Sequence, residues 1–316
     1  MRLVFLGTPA FAVPTLESMV AAGYDVPLVV TQPDRPRGRG QNPAPPPVKE
    51  AALRLGLPVY QPERIRRPEA LDQLRGLGAD GMVVVGYGQI IPQAVIDLAQ
   101  LGIVNVHASL LPKYRGAGPV QWAIILGETR TGVTTMRIDA GLDTGDMLLK
   151  AETDIGPGEN AIDLGKRLAV MGADLLVQTM AGLAAGTITP EPQDPAQATL
   201  APMLKKEDGL IDWTPSAQAI HNRVRGLQPW PGAYTTFRGQ TLHIWQSRWV
   251  APPWPRTPGP RPPGHFLSLK PLVVACGACA LELLEVQLEG RKRIPASDFT
   301  NGQRLTDNDV LGEVHR

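Results

Sequence analysis

Over its first two thirds the chain alternates short apolar runs with longer segments of helical period, and that alternation leaves few folds open to it. Leu3–Gly7, Val26–Gln32, Gly81–Val85, Ile103–Val106 and Val133–Ile138 read as strands. Between them, Ala12–Ala22, Pro47–Leu55, Glu69–Leu77, Pro92–Leu98, Pro119–Leu126 and Ala161–Ala184 read as helices. Short apolar strands separated by helices build a parallel sheet with helices on its faces. Proline at or near several of the helix starts suits the first turn, where a missing N–H costs nothing. The expectation is an α/β domain.

The alternation stops at Thr187. From there to Pro202 the chain carries Pro190, Pro192, Pro195 and Pro202, and proline lacks the donor that helix and central strand both need. The spacing predicts a linker over 189–203 between a domain of residues 1–188 and one of residues 204–316. A chain of 316 residues also exceeds the usual reach of one core. Beyond the linker, Ala233–Phe237, Thr241–Val250, Gly264–Leu267, Leu272–Cys276 and Leu281–Gln287 read as five short strands, preceded by one helix, Ser216–Arg225. That count suits a small barrel such as an OB-fold, although an SH3-like barrel scans similarly.

Asn105 and His107 end one of the apolar runs. Residues i and i+2 of a strand share a face, so the amide and the imidazole should project together while Val104 and Val106 pack behind them. Thirty-two residues beyond His107, Asp139-Ala140-Gly141-Leu142-Asp143-Thr144-Gly145-Asp146 begins after the apolar run Val133–Ile138 and brings a second polar cluster, with Asp143 thirty-six residues from His107. The first strand turns through the single Gly7 of Phe5-Leu6-Gly7-Thr8-Pro9, without the G-x-G-x-x-G fingerprint, so a dinucleotide is not expected. Ligands of open α/β sheets bind beyond the carboxyl ends of the strands, where Asn105, His107 and the Gly86-Tyr87-Gly88 turn should gather.

A formal net charge of +1 conceals segregation: residues 31–67 hold 8 basic and 3 acidic groups, and residues 204–275 hold 9 and 3. Two basic regions around an acidic middle suit a polyanionic partner, as do solvated loop arginines. Cys276 and Cys279 form a C-x-x-C with no second pair to complete a zinc site, inside an alternating apolar run, so they are expected to be small buried residues. His221, His243, His265 and His315 show no ligand spacing, and no metal is expected. The opening Met1–Gly7 is too short for a signal peptide, and no later segment is expected to span a membrane. A soluble, reducing, cytoplasmic compartment is expected.

The run Asn105-Val106-His107-Ala108-Ser109-Leu110-Leu111-Pro112-Lys113-Tyr114-Arg115-Gly116, followed by Gly141-Leu142-Asp143-Thr144-Gly145-Asp146, resembles the folate-dependent formyltransferases. Phe5 to Pro9, the loop Thr31-Gln32-Pro33-Asp34-Arg35-Pro36-Arg37-Gly38-Arg39-Gly40, and Ile211-Asp212-Trp213 are similar to the branch of that family whose acceptor is methionyl initiator tRNA. The likeness covers nearly the whole chain. It implies a Rossmann-like parallel-sheet domain, an OB-like tRNA-binding domain, 10-formyltetrahydrofolate as formyl donor without a metal, and a monomer. It further implies Asn105, His107 and Asp143 as the catalytic trio, Ser109, Leu110, Leu111 and Pro112 as folate site, and Arg39 as a tRNA contact. Ala108 stands where the family often has Gly, and the proline-rich Trp249 to Pro263 and the C-x-x-C lie outside the family pattern.

Acyl transfer to an amine needs a donor to the developing oxyanion, for which Asn105 is suited, and proton traffic, for which His107 and Asp143 are suited. Which of the two takes the first proton stays open. Each also has an ordinary alternative: Asn and His after a strand satisfy loop backbone, and Asp before Thr-Gly forms turns. Asp146 rivals Asp143, and Asp139 reads as a turn former. Arg115 either pairs with an acidic ligand group or anchors its own loop. Gly86, Tyr87 and Gly88 are added to the folate site. Arg35, Arg37, Arg39, Lys205, Lys206, Arg223, Arg225, Arg291, Lys292 and Arg293 form a candidate cationic track for tRNA, each alone also readable as a solvated charge. Trp213, Trp230 and Trp245 are expected to pack more than to stack on bases. A sugar amine, a purine-precursor amine or water as acceptor, and a non-catalytic RNA-binding protein, are the competing readings.

Overall fold

The computed structural model describes residues 1–37, 42–250 and 261–312. The chain divides into two compact units: residues 1–119, 130–154 and 165–202 form the first, and residues 120–129, 155–164 and 203–316 the second.

In the first part of the chain the elements are β1 (Leu3–Gly7), α1 (Val13–Ala21), β2 (Val29–Val30), β3 (Arg35–Arg37), β4 (Asn42–Ala44), α2 (Pro47–Arg54), β5 (Val59–Tyr60), α3 (Pro68–Gly76), β6 (Gly81–Val85), α4 (Gln93–Ile96) and β7 (Ile103–His107). They are followed by α5 (Pro119–Ile125), β8 (Arg130–Arg137), β9 (Met147–Asp154) and α6 (Ala161–Ala185). Seven strands make one sheet in the order β5-β2-β1-β6-β7-β8-β9. β5, β2, β1, β6 and β7 are parallel, and β8 and β9 antiparallel.

The strand order reverses between β1 and β6, so the ends of these two strands frame a crevice of the kind where such sheets take ligands. Leu3 and Phe5 of β1 face a core layer that also holds Val83, Val85, Val104 and Val106, packed under α1, α2 and α6. Val4 and Leu6 face the other layer, with Met82, Val84 and Ile103 under α3 and α4. The same alternation through β7 puts Asn105 and His107 on the Ile103 face, opposite Val104 and Val106, as expected from their spacing.

Several expectations need correction. The strand read at Val133–Ile138 is Arg130–Arg137 and runs antiparallel, because it is one arm of a hairpin with β9. β9 itself was not expected: its outer half, Lys150 to Asp154, alternates between exposed and half-buried and offers no continuous apolar run. Of Val26–Gln32 only Val29–Val30 is laddered. Residues 189–202 are no free linker: Glu191 and Met147 exchange two backbone hydrogen bonds of 2.8 Å, and Ala201 N donates to Arg115 O at 2.7 Å, stitching the segment along the first unit. Helix α6 is 25 residues long and apolar enough to cross a membrane by length and composition, against expectation. Its Leu176 and Met180 are completely buried in the sheet's core layer, which accounts for that apolarity.

The second unit holds α7 (Ala217–Gly226), β10 (Ala233–Phe237), β11 (Gln240–Val250), β12 (Phe266–Leu269), β13 (Leu272–Ala275), β14 (Ala280–Leu288), β15 (Ile294–Pro295) and α8 (Ala296–Gln303). Its five main strands run antiparallel in the order β10-β11-β14-β13-β12, the OB-like β domain expected, with α8 as an unforeseen cover. Ser216 caps α7 by accepting from Ala219 N at 3.2 Å. Arg238-Gly239 closes the β10–β11 hairpin with both residues at positive φ, as a tight two-residue turn requires. Phe237, Phe266, Phe299, Leu242 and Ile244 fill the core. Cys276 is buried, which pushes its thiol up to about 12, whereas Cys279 is exposed at the hairpin turn, contrary to expectation. Residues 251–260 of the proline-rich segment lie outside the described residues.

One glycine sets how closely α6 approaches the strand bearing Asn105 and His107. A Cβ on Gly172 would sit 2.6 Å from Val106 Cγ1, and a buried valine is stiff about χ1. Alanine's gain of about 1 kcal/mol in helix propensity is opposed by that same contact, and a larger β-branched side chain must push the helix away. Gly172→Val is therefore expected to lower unfolding free energy by about 1–3 kcal/mol. A urea midpoint equal to or above the parent's would contradict this packing.

Candidate active site

β7 delivers Asn105 and His107 to the site, both buried, at 8% and 5% exposure, where a strand of this kind would otherwise carry aliphatic residues. The His107 ring is held from two sides. Its Nε2 lies 2.9 Å from Tyr114 O, and since a carbonyl only accepts, Nε2 carries the proton. Its Nδ1 faces Asp143 Oδ2 at 3.7 Å, too long for a direct hydrogen bond and close enough for an ion pair when the ring is charged. Asp143 Oδ2 in turn accepts from Gly116 N at 2.9 Å.

Asp143 sits in the β8–β9 hairpin loop at φ 52, and Tyr114 lies at φ 63 in the turn after β7. Non-glycine residues adopt this left-handed region at a cost, so both turns must be held by their surroundings. Asp139 does what was expected of a turn former, accepting from Gly141 N at 3.0 Å and from Thr144 Oγ1 at 2.8 Å. Of the rival carboxylates, Asp143 is the one paired with His107.

The segment after His107 is internally bonded. Ser109 Oγ donates to Lys113 O at 2.6 Å, and Thr134 Oγ1 donates to Ser109 O at 2.7 Å. Ser109 thus shapes the turn, while half-buried Leu110 and Pro112 leave apolar surface exposed and Leu111 packs inward on Met136 and Met147. Arg115 anchors its own neighbourhood, its Nε and one terminal nitrogen donating to Gln193 Oε1 at 3.0 and 2.8 Å.

At the carboxyl ends of β1, β2 and β6, Thr8 Oγ1 and Gln32 Nε2 both donate to Tyr87 O, at 2.8 and 3.2 Å. Gly86 and Gly88 take positive φ around it, and a Cβ on Gly86 would come within 3.0 Å of Pro9. The three loops therefore meet at the crevice, but the Tyr87 side chain is 1% exposed and belongs to the core. It offers no face to a ligand there, which corrects its expected place in the folate wall. Its hydroxyl has no partner among the described residues, and burial raises the phenol's pKa.

The basic residues fall into distinct groups. Arg35 is exposed beside Glu63, at 3.5 Å, whereas Arg39 and the side chain of Arg37 lie outside the described residues. Lys205, Lys206, Arg291 and Lys292 are exposed. Arg293 pairs with Glu285 and lies 5.2 Å from the Trp245 ring centroid. Arg223 is half-buried and donates to Asp208 O. Arg225 departs from expectation: it is buried, and it donates to Asn222 Oδ1 and to the carbonyls of Gly156 and Glu159 at 2.9–3.1 Å. Its cation serves the fold of the second unit. Trp213 is buried and donates to Thr235 Oγ1 at 3.1 Å, as packing predicts, while Trp230 is half exposed.

Comparison with known proteins decides the family. The profile described as "Formyl transferase" matches residues 1–180, and "Formyl transferase, C-terminal domain" matches residues 203–304. The chain belongs to the formyl transferase family. It is 74% identical over 315 residues to a methionyl-tRNA formyltransferase of Solibacter usitatus, covering 100% of both chains, and 58% identical over 317 residues to that of Koribacter versatilis, covering 99% of both. Among solved structures, the N-formyltransferase from Helicobacter canadensis, in complex with folinic acid and dTDP-3-aminofucose, aligns with TM-score 0.66 at 17% identity, over 90% of this chain and 98% of that one. HypX from Aquifex aeolicus, in complex with tetrahydrofolic acid, aligns with TM-score 0.63 at 15% identity, over 100% of this chain and 51% of that one. At such identities these two speak for the fold of a formyl transferase.

Sequence reading missed the groups that hold the site together: the Tyr114 carbonyl, the Gly116 N–H and Gln193. The first two are backbone and carry no residue signature, and the third lies in a stretch dominated by prolines.

Removing a buried hydroxyl without a partner removes a desolvation cost. Tyr87→Phe is expected to leave stability unchanged or to raise it by up to about 2 kcal/mol. A clear drop in the urea midpoint would mean that the hydroxyl is satisfied in solution.

Proposed function

We propose that this formyl transferase moves the formyl group of 10-formyltetrahydrofolate onto the amino group of methionyl initiator tRNA. The observation that carries the reading is full-length identity of 74% to a methionyl-tRNA formyltransferase, which extends through both units. A cytoplasmic monomer with no metal requirement goes with this reading. So does a folate site along Leu110 and Pro112 and the Gly86 and Gly88 turns, with Leu111 backing it from the core, where half-buried apolar side chains and glycine backbone leave room for a flat ring.

In this reaction an uncharged amine attacks the formyl carbon, and the proton it loses must equal the one gained by the departing folate nitrogen. Asn105, through its side-chain NH2, donates to the oxygen as negative charge develops, a contribution of about 3 kcal/mol for a well-placed donor. His107, with Nε2–H committed to Tyr114 O, keeps Nδ1 for proton transfer. Asp143, one oxygen held by Gly116 N–H, is the carboxylate that accepts the amine proton or stabilises the protonated ring. The 3.7 Å between Nδ1 and Oδ2 fits a pair that tightens when substrate enters, as catalytic contacts often do.

Formyl transfer measured in parallel with methionyl initiator tRNA, free methionine, a sugar amine and no acceptor tests the reading. Transfer confined to the charged tRNA is expected; transfer to a small amine, or folate turnover without acceptor at the full rate, would overturn it. His107→Ala and Asp143→Ala are each expected to lower turnover by about 10²–10⁴-fold, with circular dichroism close to the parent's and a urea midpoint lowered by the hydrogen bond each variant loses. Near-normal turnover in either folded variant would remove that residue from the chemistry.

The exposed charges of Arg35, Lys205, Lys206, Arg291 and Lys292 are proposed to meet the phosphate backbone, together with Arg37, Arg39, Arg223 and Arg293. Each phosphate neutralised releases condensed counterions. The tRNA dissociation constant should therefore rise steeply between about 50 and 200 mM salt. A flat titration would count against a cationic track.

A further inference from the structure

The hairpin loop bearing Asp143 is held by a side chain from outside it. Glu191 pairs with Met147 through two backbone hydrogen bonds, and this fixes the chain two residues before Gln193. Gln193 is buried, and every polar site on its amide is used. Nε2 donates to Asp143 O and to Gly145 O, both at 2.8 Å. Oε1 accepts from Arg115 Nε at 3.0 Å and from a terminal guanidinium nitrogen at 2.8 Å. The orientation of the amide is dictated by its partners, since a flipped group would set oxygen against two carbonyls and NH2 against a cation. Four bonds on one buried amide make it a rigid brace.

The brace joins the two turns that flank the His107 ring. On one side it fixes the carbonyls of Asp143 and Gly145. On the other, through Arg115, it fixes the strip in which the Tyr114 carbonyl accepts from His107 and the Gly116 N–H donates to Asp143. Thr199 adds to this strip, its Oγ1 accepting from Tyr114 N at 2.9 Å and its carbonyl from Arg115 N at 2.8 Å. Tyr114 and Asp143 both occupy the left-handed backbone region, which persists only where neighbouring bonds over-determine it. We propose that Gln193, clamped by Arg115, is a positioning residue that sets the place of the Asp143 carboxylate relative to His107 during formyl transfer. The inference rests on the reading that these two residues carry the proton traffic.

Gln193→Met keeps the length and much of the volume and removes all four bonds. Its single-turnover rate is expected to fall about 10²-fold, the size of effect that a displacement near 1 Å produces. The Michaelis constants for folate donor and for tRNA should stay within about threefold, because the side chain meets neither. In an Asp143→Glu background, where the carboxylate is already displaced, the same substitution should cost much less, since effects routed through one group are not additive. A parental rate in Gln193→Met, a parallel loss of both substrate affinities, or full additivity with Asp143→Glu would each overturn the proposal. If Gln193→Met does not fold, Gln193→Glu replaces it: it keeps the bonds to Arg115, turns repulsive toward the two carbonyls, and should show the same split between rate and affinity. The parent enzyme's activity on methionyl-tRNA tests the underlying reading separately. Should that activity be absent, donor turnover without acceptor becomes the readout, and a Gln193→Met rate equal to the parent's there still sinks the brace.

Discussion

A carbonyl cannot donate, so the contact between His107 Nε2 and Tyr114 O assigns the ring proton to Nε2 and leaves Nδ1 free to face Asp143. Reversing the tautomer would set a lone pair against a carbonyl in a buried place, where an unmade hydrogen bond costs about 1–3 kcal/mol. The ring's rotation about χ2 is restrained by the same contact. One backbone acceptor thereby settles the neutral tautomer and the orientation of the imidazole, and turns Nδ1 toward Asp143. Everything else in the site follows from keeping that carbonyl where it is.

Keeping it there is demanding, because Tyr114 and Asp143 both stand at positive φ without being glycine. Conformations of this kind cost about 1–3 kcal/mol each, and a chain left to itself would relax them. The first unit opposes relaxation with the segment 191–201, whose backbone pairs with Met147 at one end and Arg115 at the other. Pro192 and Pro195 suit a segment that must stay in place, because proline loses little conformational entropy on ordering. The N–H groups of the residues around them remain available to bond to the two turns. The prolines that suggested a spacer are compatible with a strap of fixed shape.

How far the sequence reveals the site depends on whether a group acts through its side chain or its backbone. Asn105 and His107 were legible because polar side chains interrupt an otherwise apolar strand, and strand geometry alone puts them on one face. Asp143 was legible from the resemblance and could not be separated from Asp146 by residue type. The Tyr114 carbonyl and Gly116 N–H left no trace, since every residue other than proline carries both groups. In the fold, β1, β6 and β7 were legible as buried apolar runs, whereas β9 was not, because an edge strand with alternate residues exposed resembles a loop in composition. The antiparallel direction of β8 was hidden for a related reason: direction is set by the short loop to β9, and β9 was the element missed.

Charge was the least transferable signal. A count of lysines and arginines treats every cation as available, but a guanidinium can be consumed inside the protein as readily as offered outside. Arg225 stands for the first case, with its donors spent on one side chain and two carbonyls. Arg115 is another, spent on Gln193. Arg293 is intermediate, exposed yet lying over Trp245 and paired with Glu285. Lys206 is different again: it lines a concave site of about 390 Å³ on the second unit together with Tyr234, His243 and Trp245. Arginine carries five donors in a rigid fork and is therefore the cation that interiors recruit, while lysine keeps a single strongly hydrated charge at the surface. In a chain with 31 basic residues, the arginines must be sorted by the carbonyls and carboxylates they already serve before any can be assigned to a phosphate. The lysines need less sorting, because their charges stay in water at the surface.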